Sequence, residues 1–504
     1  MFTIKRLRKK LGKMLNLVAR RGATAIDILP DDVLLEIFNF CGVDHHQHHR
    51  TLQSFIYPEL KWHRLIHVCV RWRQIIFLSP HRLDLYILCT MGSPVQKKLW
   101  PAFPIILHYP HHYPHLATIS SKDEANIIVA LEHPDRVRSL QLSVTSSLLG
   151  KMATVTQTQK PFPLLTELWL SSEGGSLSVV PSAFLGGSAP RLRRIHLEGI
   201  PFPSFPTFFS TASDLWDLYL DSIPRTGYFS PEAMATSLAV STRLRFLFIG
   251  FHSSTSHPNQ SDNSGGRVVL PTRAVLPALS FFGFRGASEY LEALIARIDA
   301  PRIVSIRIKY FNQLVFKVPQ LFRFISQTQI VKQSRTICAR VNFFTSRVDM
   351  TLSSGPAGNQ PIFLHLEIPC QGLDWQVSHM AEALGQSSAV LSNVRHLFIH
   401  SWYLKPSWRD GMHDIEWLSL FRQFTGAETL RVSDQQSEDV AHALNDVTFE
   451  MVPKILTALR LLFLGGEPAG RVGKFITARQ LAGLPPVVVA YTLDEYVNRR
   501  SSLI

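Results

Sequence analysis

No stretch of this chain stays apolar for the roughly 20 residues that a membrane-spanning helix needs, so no membrane partner is expected. Cysteine is scarce. The five in 504 residues (Cys41, Cys69, Cys89, Cys338 and Cys370) are odd in number, lie in apolar surroundings and form no C-x-x-C. They read as reduced core thiols of an intracellular protein, placed in the cytoplasm, the nucleus or both. Catalytic signatures are missing as well: there is no G-x-S-x-G elbow, no P-loop, no G-x-G-x-x-G after a strand and no H-E-x-x-H. Carboxylates are abundant, yet no pair is set apart by its surroundings as an acid and a base. Ser188, in Leu185-Gly186-Gly187-Ser188, reads as a loop serine. The expectation is a protein with no enzymatic activity, no metal and no cofactor.

Acid is missing from the first 26 residues, which hold Lys5, Arg6, Arg8, Lys9, Lys10, Lys13, Arg20 and Arg21. These eight supply more than half of the net charge of +14. Basicity is thus concentrated in a tail rather than spread over a nucleic-acid surface, and nucleic acid is not an expected partner. Residues 1–25 are expected to be a disordered basic tail. The Lys5–Lys10 cluster fits a nuclear localisation patch, the acid-free start fits a mitochondrial presequence, and a solvated tail is the plainest reading. A length of 504 residues calls for at least two structural units, and 46% hydrophobic with 18% charged residues suits a sizeable core.

What is present is most informative from Ile28 to Ile76. Pro30 supplies the fixed φ of a first helical position, and Asp31 and Asp32 complement the positive end of the helix dipole. Val33, Leu34, Ile37, Phe38 and Cys41 then make one apolar face, and Gly42 can stop the helix. A second stripe runs through Leu65, Val68, Cys69, Trp72, Ile75 and Ile76, with Arg64, Arg71 and Arg73 largely off it, until Ser79-Pro80. So small a helical unit has little private core, which leaves apolar surface for another chain. The plain alternative is a helical hairpin buried against its own chain.

These residues resemble the F-box. Leu29-Pro30 before an acidic turn, Ile37-Phe38 one helix later, and Val68-Cys69 followed by Trp72-Arg73 stand where that family has them. The tail Ile76-Phe77-Leu78-Ser79-Pro80, then Leu83, Leu85 and Leu88-Cys89-Thr90, is similar to F-box proteins abundant in mushroom-forming fungi. The departure is an insertion of roughly Val43 to Pro58. The resemblance implies docking on the Skp adaptor, and through it a cullin, by Leu29, Pro30, Val33, Ile37, Phe38, Val68, Cys69 and Trp72. Its limits are expected at residues 26–90, with a connecting segment at 91–135. Two histidine groups, His45, His46, His48, His49 and His108, His111, His112, His115, sit in expected loops. They are read as polar loop residues rather than zinc ligands, with no cysteine at ligand spacing.

From Val137 a pattern L-x-x-L-x-L recurs, as in Leu165/Leu168/Leu170, Leu192/Ile195/Leu197, Leu215/Leu218/Leu220 and Leu244/Leu247/Ile249. It returns through Leu279/Phe282/Phe284 and Ile303/Ile306/Ile308. After a gap come Phe363/Leu366/Ile368, Val394/Leu397/Ile399, Ala427/Leu430/Val432 and Leu459/Leu462/Leu464. This resembles a leucine-rich-repeat solenoid, in which stacked short strands share one core. The buried Asn or Cys of a regular repeat is replaced by Thr145, Glu173, Ile200, Ile223 and Phe311. An irregular solenoid is therefore expected. The expected fold class is α/β: a small helical F-box, then short parallel strands and helices over residues 136–495. A flexible insertion is expected near 252–267, and one or two degenerate repeats around Val341-Asn342-Phe343-Phe344.

Residues between the last two anchors should share the open face of the strands. That position holds Gln141, Trp169, His196, Tyr219, Phe248, Gly283, Arg307, Glu367, Phe398, Arg431 and Phe463. Aromatics with arginines are the composition of interface hot spots. Trp169, Tyr219 and Phe248 are the candidates for binding an unknown protein target. The other reading makes them core, covered by helices or insertions. The function implied is a non-catalytic substrate receptor of an SCF ubiquitin ligase, with an interaction scaffold outside ubiquitination as the alternative.

Overall fold

A computed structural model describes residues 29–42, 65–79, 86–92, 103–109, 119–157, 161–174, 177–253, 273–313, 315–316, 318–334, 336–355, 361–370, 373–385, 388–402, 414–465 and 472–492. The basic tail, the insertion at 43–58 with its histidines, His111, His112, His115 and residues 254–267 lie outside these. The chain divides into two units, Met1–Ile106 and Leu107–Ile504.

In the first unit a helix runs over Asp31–Gly42. The Pro30 carbonyl accepts from the Val33 and Leu34 amides (3.0 and 3.1 Å). Proline thus precedes the helix by one residue instead of opening it, and Asp31 takes the first position. A second helix spans Val70–Leu78. It begins later than the apolar stripe suggests because Cys69 is its N-cap, its Sγ accepting from the Trp72 amide at 3.4 Å. Cys69 is exposed, so it is not the core thiol expected, whereas Cys89 is buried. Arg71 joins the two helices, its guanidinium donating to the Leu29 carbonyl (2.6 Å) and to the Asp31 carboxylate (2.7 Å). Leu34, Leu35, Phe38, Ile75, Ile76 and Phe103 form the core of this unit. Strand β1 (Ile87–Cys89) meets the chain before strand β2 (Ile105–Tyr109), the Ile87 amide donating to the Pro104 carbonyl at 2.8 Å.

The second unit carries helices and a long, mostly parallel sheet. Its strands in chain order are β3 (Val137–Val144), β4 (Glu167–Ser172), β5 (Arg194–Glu198), β6 (Asp217–Ile223) and β7 (Phe246–Phe251). There follow β8 (Ala274–Val275), β9 (Phe281–Gly286), β10 (Ile298–Asp299), β11 (Ser305–Tyr310), β12 (Ile337–Phe344), β13 (Arg347–Ser353) and β14 (Ile362–Pro369). The last are β15 (Val394–Ser401), β16 (Thr429–Val432), β17 (Leu461–Gly465) and β18 (Val488–Thr492). From β3 the sheet order is β3-β4-β5-β6-β7-β9-β11-β14-β13-β12-β15-β16-β17-β18, while the two-residue strands β8 and β10 pair with each other. The anchors of the repeated pattern are buried: Leu168, Leu170, Leu218, Leu220, Leu247 and Ile249 are each at most 2% exposed. Burial of one such side chain contributes roughly 1.5–3 kcal/mol, and stacking makes that burial continuous from strand to strand.

The missing Asn ladder is replaced by the backbone. Past the strands, Glu173 N–H donates to Val144 (3.2 Å), His252 to Ile223 (2.9 Å) and Phe311 to Gly286 (3.1 Å). Ahead of the strands, Thr166 donates to Arg138, Arg193 to Thr166, Trp216 to Arg193 and Arg245 to Trp216, each within 3.0 Å. The bonds past the strands pair backbone groups on the turn where a side-chain amide would otherwise serve, and those ahead of the strands extend the ladder between neighbours. Thr145, one of the residues standing in for that Asn, caps the helix Ser146–Thr156 through its hydroxyl.

Two expectations change. The gap between Ile308 and Phe363 holds one parallel strand where a degenerate repeat was expected, β12, which pairs parallel with β15, and one reversed strand, β13, which runs antiparallel to both β12 and β14. Because β14 rather than β12 pairs with β11, the chain order is inverted across this hairpin. The segment 91–135 is more than a connection, since it holds β2 and the helix Ser121–Leu131, whose Ser120 and Asp123 make a reciprocal capping box.

Candidate protein-interaction surfaces

In the first unit the eight motif residues divide by burial. Phe38 is 2% exposed and packs on Trp72, ring centroids 4.7 Å apart. Phe38 therefore serves the unit's own core, and helical periodicity could not say which of two neighbouring apolar residues turns inward. Leu29 and Trp72 are half-buried against that core. Val33 is half-buried, while Pro30, Ile37, Val68 and Cys69 are exposed. Val68 and Ile37 reach 58% and 37% exposure, and Val70 and Leu78 extend the bare aliphatic surface at 63% and 83%.

In the second unit the open face of the sheet carries a line of side chains in strict register. Trp169 lies beside His196, His196 beside Tyr219, and Tyr219 beside Phe248. All four are half-buried. Their rings stack as a ladder, with centroids 4.0, 4.2 and 4.7 Å apart and planes within 18°, 12° and 13°. Ring faces are spent on one another, so the positive ring edges are what a partner would meet. A second stack, Phe246 on Phe281 at 4.4 Å, lies one row away. Gly283 ends the ladder; a Cβ there would collide with the Phe248 ring. Tyr219 donates its hydroxyl to Asp221 at 3.3 Å. Burial, with the Asp221 and Glu198 carboxylates nearby, pushes the phenol up to about 12. Burial also raises the Asp217 carboxyl, opposed by Arg194.

Beyond Gly283 the same row continues through Arg307 and then His365. Glu367 was expected in this row. The register pairs Ile306 with Leu364 and Ile308 with Leu366, so the expected anchors of β14 are displaced along the strand. Glu367 moves to the flanking row and His365 takes its place. The row then passes Thr351, Arg340, Phe398, Arg431 and Phe463. Arg340 lies over Phe398 (5.7 Å) and Arg431 over Phe463 (4.5 Å). Arg340 escaped sequence reasoning because its strand belongs to the hairpin; the alternation of Ile337, Ala339, Val341 and Phe343 was the available signal.

Asp349, His365 and Glu367 place ligating atoms within 4.8 Å of one another. Arg347 lies 3.2 Å from Asp349 and Lys309 2.6 Å from Glu367. Those cations already balance the two carboxylates and oppose a divalent ion, so the group is an ion-pair network. His108, from the second histidine group, is buried on β2 and bonded to the Gln141 side chain at 2.9 Å. Among the described residues no helix is long and apolar enough to cross a membrane.

No family model matches the chain, and no curated protein matches it. Among solved structures it is similar to the leucine-rich-repeat-containing protein LegL7 of Legionella pneumophila. The identity is 12%, the match covers 79% of this chain and 98% of that one, and the TM-score is 0.23. At that TM-score the likeness carries no argument. The α/β architecture and the parallel register are seen in the strand order and pairing of the sheet.

Proposed function

We propose that this chain is a non-catalytic substrate receptor of a cullin-type (SCF) ubiquitin ligase. Its helical unit is an F-box that docks on the Skp adaptor, and the open face of its sheet holds the protein target. The observation that carries the reading is aliphatic surface left bare on a unit with a small core. Val68, Val70 and Leu78 are all more than half exposed, and the motif residues Pro30 and Ile37 are exposed as well. Covering such surface stabilises a complex by roughly 25 cal/mol per Å² of apolar area.

The test is co-purification with wild type and with an Ile37→Asp/Val68→Asp variant, both positions being exposed enough to accept charge without unfolding. Adaptor and cullin should accompany the wild type and be lost from the variant. Adaptor without cullin would instead favour an interaction scaffold outside ubiquitination. Equal recovery of adaptor by both proteins overturns the docking site. On the sheet, Trp169→Ala and Tyr219→Ala should lose the target while the chain stays folded, with a melting transition lowered only by the lost ring stacking.

A further inference from the structure

The flanking rows of the sheet face and its central row treat their cations differently. In the flanking rows each arginine or lysine has a carboxylate: Arg194 with Glu167 (3.6 Å), Arg285 with Asp221 (2.8 Å) and Lys309 with Glu367 (2.6 Å). The central row holds Arg307, Arg340 and Arg431 and no acid at all. Among the described residues none of these three is within ion-pair distance of a carboxylate. Arg307 and Arg431 are exposed and Arg340 half-buried. Arg307 also lines a hollow with Phe248, His365 and Lys309. A guanidinium presents a planar fork of donors that matches a carboxylate. Three of them along one line, with their neighbours already neutralised, leave a strip of positive charge.

We infer that this strip takes an acidic, extended segment of a protein target, whose carboxylates pair with Arg307, Arg340 and Arg431. The inference rests on the reading of the sheet face as the target receptor and names the chemistry of that target. Arg307 and Arg340 stand three strands apart and Arg340 and Arg431 two strands apart. At about 4.8 Å per strand these gaps are roughly 14 and 10 Å. An extended chain rising about 3.3 Å per residue would match them with acids about four and three residues apart. A nucleic-acid strand is disfavoured by the same geometry. Bases bind by stacking on open ring faces, and in the ladder from Trp169 to Phe248 the inner faces are already stacked on one another.

The experiment uses the full chain and a fluorescein-labelled extended peptide bearing three glutamates at that spacing, beside its glutamine counterpart and an oligothymidylate. The glutamate peptide should bind, the glutamine peptide should not, and added salt should weaken binding. Arg307→Gln, Arg340→Gln and Arg431→Gln should each lower affinity about fivefold, and the triple variant should abolish it. Melting temperatures report folding; should Arg340→Gln fail to fold, the Arg307→Gln/Arg431→Gln pair carries the test. Equal binding of the two peptides overturns the inference, as does oligothymidylate binding with the same arginine dependence. Target capture that requires Trp169 and Tyr219 but survives the arginine changes overturns the acidic class alone and leaves the receptor reading intact.

Discussion

The two units answer the burial problem in opposite ways. The helical unit gathers a handful of side chains, Leu34, Leu35, Phe38, Ile75, Ile76 and Phe103, and leaves aliphatic neighbours bare. The sheet unit hands burial from strand to strand, so that Leu168, Ile195, Leu218 and Leu247 are each at most 1% exposed. What it leaves accessible is ring edges and guanidiniums. A non-directional apolar surface suits an invariant partner, whereas placed aromatics and charges suit discrimination among targets.

The sharpest way to test this contrast is truncation of one core leucine in each unit. Leu218→Ala should cost about 2–5 kcal/mol and lower the main thermal transition. Leu34→Ala should leave that transition in place and abolish the proposed adaptor capture, because it empties the small core. If both variants shift the same transition, the two cores are one cooperative system and the comparison fails.

Smaller changes should refine it. Arg71→Ala removes the donor to Leu29 and Asp31 and should weaken the helical unit by about 1 kcal/mol. Faster amide exchange along Asp31–Gly42, with none in the sheet, would report it. On the sheet, Thr145→Ala removes a helix cap at a cost of about 1 kcal/mol, read as a lower denaturation midpoint. Tyr219 offers a test through pH. Its phenol is raised from 10.0 to about 12 in the folded protein, mainly by burial. The folded state therefore holds the proton longer, and stability contributed by Tyr219 is present below pH 10.0 and falls as pH rises to about 12. A Tyr219→Phe variant should lose that segment of the pH–stability curve. The smallest effect concerns the cap of the second helix. Cys69→Ser replaces a weak acceptor by a strong one and should stabilise the helical unit by a few tenths of a kcal/mol. Before that change, Cys69 should react with maleimide far faster than Cys338 or Cys370, which are buried.

Most strands were legible because each needs only a local cue, three apolar anchors at fixed spacing. Their partners were legible as far as the repeats are consecutive, so the ladder from Trp169 to Phe248 could be named residue by residue. Legibility ended at the hairpin of β12 and β13. Its strands alternate as regularly as the others, with Val341 and Phe343 buried, but alternation does not say which strand each one pairs with or in what register. That is why Arg340 and His365 were missed and Glu367 was placed in the wrong row. In the helical unit, Ile37 and Phe38 were read on one apolar face, and periodicity could not tell that Phe38 turns inward while Ile37 stays exposed.

Periodicity and anchor spacing, which act within one strand or one helical turn, were enough to specify the α/β class, the run of stacked strands and the aromatic row. Pairing across the sheet joins residues far apart in the chain, and so only the folded molecule could decide which guanidiniums stand in line and which have a carboxylate beside them. The physical reason is one of range: side-chain alternation is a nearest-neighbour property, while register and charge pairing are settled by the sheet as a whole.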